Sequence, residues 1–127
     1  DEDGYIATVA EANGVFPYLD SPVCFFGHTH LQGGYSWSRM VTRPLLMPRQ
    51  MERPFAMDIR EDSAYLVNPG SVGQPRDANP RAGFVLLDSV LERVVFHRVD
   101  YDITVVHQKI AHAGLPPLLG DRLFVGR

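Results

Sequence analysis

A single cysteine, Cys24, stands in 127 residues. That excludes a disulfide scaffold and points to a reducing, cytoplasmic setting. No apolar run approaches the roughly 20 residues that a membrane-spanning helix needs, so neither a spanning segment nor a membrane partner is expected. Strong charge of one sign is lacking too. A formal net charge of -3 offers no general attraction to nucleic acid or to an anionic membrane, and neither is expected as a partner. Internal repeats and low-complexity tracts are absent. What remains fits within one ordinary domain, large enough to close a core.

Residues 4–13 suit a short helix, with Tyr5, Ile6, Val9 and Ala10 at partial helical spacing and Asn13-Gly14 as its stop. The run Val23 to Phe26 reads as a buried strand, with Cys24 as a small buried hydrophobe. From Leu31 to Met57, glycines and prolines interrupt any long element, and short strands are expected around 36–41 and 55–59. Met40, Met47, Met51 and Met57 fall in this stretch, as core filling or as an adaptable apolar lid. Arg39, Arg43, Arg49 and Arg53 also fall here; they read as a solvated surface or as a basic loop holding an anionic substrate. The polar turn 60–63 predicts a hairpin between the strands around it, and a second hairpin is expected from 83–88 and 92–99. Asp102 or Thr104 starts a helix in which Ile103, Val106, Ile110 and Ala113 recur at three- and four-residue intervals. Gly114 ends it, and its apolar face is expected to pack on a sheet. A further short turn is expected over 118–124.

Chemistry concentrates where the first strand ends. Gly27 permits a sharp exit into a loop, and His28 and His30 follow two residues apart, close enough to serve one metal or two neighbouring ones. Imidazole suits Zn, Mn, Fe or Ni better than Ca or Mg. The plain alternative is a loop of two solvated histidines. His107 and His112 are five apart in the expected helix, about 140° around it. They cannot share a metal from one face and read as surface residues.

Gly27-His28-Thr29-His30 resembles the last signature block of the calcineurin-like metallophosphoesterases. The segment Asn68-Pro69-Gly70-Ser71-Val72-Gly73-Gln74-Pro75-Arg76, followed by 79–84, is similar to a block that comes after the histidines in the bacterial and archaeal single-domain phosphodiesterases of that family. The resemblance implies an α/β fold, part of a four-layer α/β/β/α sandwich. Residues 1–127 would supply mainly the second sheet and a C-terminal covering helix. It implies metal-dependent phosphoester hydrolysis by the parent protein, with two divalent ions, manganese, nickel, iron or zinc. His28 would ligate one ion and His30 the other, with Thr29 setting the loop. Arg76 and Arg81 are the substrate-binding candidates, since a guanidinium holds phosphate in bidentate fashion; an ion pair with Asp77 is the competing use. The turn 68–71 would either present its amides to an anion or buttress the metal loop.

Family members carry Asp-x-His, Gly-Asp and Gly-Asn-His blocks and one more histidine upstream of Gly-His-x-His, and none precedes Gly27 here. The chain therefore resembles the C-terminal half of such a domain, an expectation to which Asp1 as first residue adds. Two ligands are too few for a dinuclear centre. The expected options are an enzyme completed by an N-terminal half, an inactive binding scaffold, or a homo-oligomer that covers the exposed strand edges.

Overall fold

The computed structural model describes residues 4–48 and 51–127, so Asp1 to Asp3 and Arg49 of the basic stretch lie outside the described residues. The chain orders as α1 (Val9–Val15), a 3-10 turn (Phe16–Tyr18), β1 (Val23–Phe25), β2 (Gly33–Ser38), β3 (Val41–Pro44), β4 (Phe55–Asp58), β5 (Ser63–Asn68), β6 (Ala82–Asp88), β7 (Arg93–Val99), α2 (Ile103–His112), α3 (Leu118–Asp121) and a last 3-10 turn (Arg122–Val125). Two sheets result, one ordered β1-β5-β2-β3 and one ordered β4-β7-β6. Only β1 and β5 run parallel among the described residues, with Val23 opposite Tyr65. Among the described residues no helix is long and apolar enough to cross a membrane.

Strand alternation explains the layering. On β5, Tyr65 and Val67 join Val94 and Phe96 of β7 and Met51 in a core between the sheets. Leu66 points the other way, into a second core with Ala12 and Phe16, where Tyr35 and Trp37 of β2 also pack. The layers are therefore α1, first sheet, second sheet. β5 is buried on both faces, as its continuous apolar run Ala64-Tyr65-Leu66-Val67 requires.

Several expectations need correction. The first helix starts at Val9, not residue 4, because Thr8 and Glu11 form a reciprocal capping box. Glu11 accepts from the backbone amides of Ala7 and Thr8 at 2.9 and 2.8 Å. These bonds and the Thr8 hydroxyl hold its carboxyl below the usual range, Ala7 first. The helix runs through Asn13-Gly14, since nothing there forces a left-handed residue. β1 is not a buried strand: only β5 flanks it among the described residues, Cys24 is half-buried and Phe25 is 44% exposed.

The turn at 60–63 exists but joins no hairpin. β4 pairs with β7, whereas β5 pairs with β1 and β2. Phe55, Met57 and Ile59 face the same core as Tyr65 and Val67 from the opposite side, so the chain must arch from one sheet to the other. The hairpin β6–β7 forms as expected. Asp88 closes its turn by accepting from the amides of Val90 and Leu91.

Asp102 caps α2 through the Val105 amide, and Gly114 follows with φ 69°. The helix buries no residue, however, and its main contacts are with α3 and the last 3-10 turn rather than with a sheet. His107 donates its Nε2–H to the Asp121 carboxylate at 3.0 Å, tying α2 to α3. The methionines divide: Met51 is core, Met47 and Met57 pack against it, and Met40 is 83% exposed.

Candidate functional site

Phe26 extends β1 by donating to the Val67 carbonyl at 3.0 Å. The chain then turns at once, with Thr29 N–H on the Gly27 carbonyl at 2.9 Å. His28 and His30 both take left-handed backbone angles, φ 73° and 61°. For residues other than glycine this costs on the order of 1–3 kcal/mol each and persists only where the surroundings over-determine it. Here the surroundings do.

The segment 68–76 grips the loop at three points. Asn68, 1% exposed, donates its side-chain amide to the Thr29 hydroxyl at 2.9 Å. His30 Nδ1 meets the Gln74 carbonyl at 2.8 Å, and Arg76 N–H donates to the His30 carbonyl at 3.2 Å. A carbonyl only accepts, so Nδ1 carries a proton, and in the neutral ring Nε2 keeps its lone pair. This is the tautomer that metal-binding histidines use, held by a carbonyl partner of the usual kind. Asn68 Oδ1 also takes the Gly70 amide at 2.9 Å, which withdraws that amide from anion binding. The turn 68–71 buttresses the loop.

His28 and His30 thus come together on one strained turn, and His28 is the more exposed. Tyr5, expected in the first helix, precedes it instead and stacks on His28, ring centres 4.1 Å apart. Among the described residues no three of His, Cys, Asp or Glu gather in a way that could hold a metal. The pair therefore fits as two ligands of a larger set and not as a complete centre.

The arginines separate. Arg76 is exposed beside the histidine loop, with one guanidinium contact at 2.8 Å to the Gln74 side chain. Arg81 is occupied by the Met51 carbonyl and by Asn79. Neither pairs with Asp77. That acid pairs with Arg98, whose side chain is 5% exposed. Arg98 also donates to Gln32 at 2.9 Å and to the Arg81 carbonyl at 3.0 Å, while Gln32 N–H returns to Asp77 at 3.1 Å. This network, which no sequence motif announced, fixes the segment that supports the histidines. Arg39 follows the other end of β2, roughly 17 Å along the strand from Gly33, and Arg43 stands opposite Ser36, roughly 10 Å along it, at about 3.3 Å per residue. They do not serve the histidine loop.

No family model matches the chain. Over 67 residues, 53% of its length, it is 48% identical to an uncharacterized protein of Methanocaldococcus jannaschii, and the match spans 28% of that relative. A crystal structure of a metallophosphoesterase from Sphaerobacter thermophilus superposes with a TM-score of 0.81 at 36% identity, covering 97% of this chain and 50% of that one. The chain thus spans about half the length of the solved structure and about a quarter of the curated relative. Over nearly its whole length, the chain has a metallophosphoesterase-like α/β fold.

Proposed function

We propose that His28 and His30 are ligands in a phosphoester-hydrolysing centre of the metallophosphoesterase type, completed by groups outside residues 1–127. The supporting observation is the hydrogen bond from His30 Nδ1 to the Gln74 carbonyl, which leaves Nε2 ready to bind a divalent ion. Two bound ions, manganese, nickel, iron or zinc, would polarise the phosphoester and acidify the attacking water. This chain's part is to hold His30 in a fixed tautomer and orientation, with His28 beside it on the same turn, stacked on Tyr5. Thr29 and Asn68 set the loop, and Arg76 offers its free guanidinium edge to a phosphate. Arg81, largely occupied, is the lesser substrate candidate.

In this reading the three observed layers are part of a four-layer α/β/β/α sandwich, with α2 on its outer side. The one-sided β1, with Phe25 exposed, is the edge that pairs with the N-terminal half or with a second copy. A dilution series by light scattering should show association of the chain alone. A monomer at every concentration, with Cys24 resistant to thiol reagents, would refute that part.

Hydrolysis of bis(p-nitrophenyl) phosphate with added manganese or nickel tests the centre. Residues 1–127 alone should give negligible turnover. A longer protein that supplies the missing blocks should be active and should lose at least a hundredfold in rate on His30→Ala. An inert longer protein would instead favour a non-catalytic scaffold, the reading to which the Tyr5 stack on His28 lends weight.

A further inference from the structure

The basic residues that the histidine loop does not use surround a groove of about 600 Å³ between the two sheets. It opens at the end of β2 remote from His28. Its space has a simple origin in the sequence. The residues of β2 that face the second sheet are Gly34, Ser36 and Ser38, opposite Val67, Tyr65 and Ser63 of β5. None is large, so Leu45, Phe55, Met57 and Tyr65 line a channel instead of closing it. A volume of this size lies within the usual range for small-molecule sites, which are apolar cavities with few polar groups.

Charge is placed at the mouth. Arg43 stands on β3 opposite Ser36, and Arg60 stands on the arch, whose amide is held by the Tyr65 hydroxyl at 3.3 Å. Arg39 joins them around an adjoining recess of about 310 Å³, with Ser38, Ser63 and Asp62. All three arginines are exposed, and none forms an ion pair among the described residues. Asp58, the other acid on the groove, is paired with Arg93 at 3.1 Å. Arg39 and Met40 form the two-residue turn between β2 and β3 with φ 49° and 63°. Such turns ordinarily take Asn-Gly. The strain is accepted at the point that presents Arg39.

We propose that this groove binds a small amphipathic anion, an apolar chain or ring carrying one terminal carboxylate or phosphate. The apolar body would lie along Leu45, Phe55 and Met57, and the headgroup would reach Arg43 and Arg60, with Arg39 behind. Guanidinium groups bind either headgroup through paired N–H donors. The site is separate from the histidine loop and does not depend on the hydrolytic reading.

Calorimetric titration of residues 1–127 with decanoate, decyl phosphate, inorganic phosphate and decanol, each below its aggregation concentration, tests the proposal. At least one of the two amphipathic anions should saturate a single site, with inorganic phosphate and decanol each at least tenfold weaker. The tighter of the two anions identifies the headgroup. Arg43→Glu with Arg60→Glu should weaken binding at least tenfold, and so should Leu46→Glu at the 88% exposed lip, with the melting temperature unchanged. Lys109→Glu on α2 controls for net charge and should change nothing. The proposal fails if neither anion binds at millimolar concentration, if phosphate or decanol binds as tightly, or if the arginine and Leu46 variants bind as the parent does.

Discussion

At one end of the β2–β5 pair, Arg98 is buried against Asp77 and Gln32, and its donors are consumed within the fold. At the other end, Arg43 and Arg60 stand exposed, with no acid paired to either among the described residues. The side chains are alike, and the difference lies in what surrounds them. A guanidinium enclosed with partners organises backbone, whereas one left over an apolar channel is available to something else. The same contrast separates Arg81, tied to the Met51 carbonyl and Asn79, from Arg76, which keeps most of its fork.

The sharpest way to break this comparison is to remove one arginine from each end. Arg98→Ala leaves Asp77 largely buried without its cation and should cost about 3–5 kcal/mol in urea denaturation. Arg43→Ala should stay within about 0.5 kcal/mol of the parent. Equal costs would erase the distinction. A step smaller, Asn68→Ala removes the amide that holds Thr29 and should cost about 1–3 kcal/mol. Nickel binding to the histidine loop, followed by calorimetry, should weaken with it; unchanged metal binding would mean that the loop keeps its shape unaided.

Relieving strain at the arginine end should act in the opposite direction. Met40→Gly removes a left-handed non-glycine residue whose side chain is solvent-exposed, and should stabilise the chain by about 1 kcal/mol by thermal melting. Smallest is the capping box. Glu11 has a depressed carboxyl in the folded state. Its contribution is therefore full above the ordinary glutamate range and is lost as pH falls through the lowered folded value. The melting-temperature gap between the parent and Glu11→Gln should accordingly be largest near neutrality and narrow on acidification. A gap independent of pH would show that the charge does not matter to the cap.

How far the sequence carried depended on the range of the interaction. The hairpin β6–β7, the Asp102 cap and the sharp exit at Gly27 are set by neighbours in the chain, and all were legible. The start of α1 was legible too, through Thr8 and Glu11, but apolar spacing alone misplaced it. The arch at 60–63 was not, because a polar turn looks the same whether the following strand pairs beside the first or opposite it. Gln32, Asp77 and Arg98 meet only after two sheets form, so no local pattern could join them. The histidine motif was plain, yet its supporting carbonyl, from Gln74, is a backbone group and leaves no mark in residue type.

The parallel partnership of β1 with β5 has a consequence for the order in which the chain becomes whole. β6 meets β7 across a tight turn, but β1 can reach β5 only after the entire β2–β4 segment has been gathered in. Contacts so distant along the chain form late, since loop closure precedes their reward. The strand that leads into Gly27-His28-Thr29-His30 is thus among those whose docking waits, with β4 on β7 paired across a similar distance. An incomplete fold would not present the strained turn, and any ligand that needs both imidazoles would favour the finished chain over its precursors.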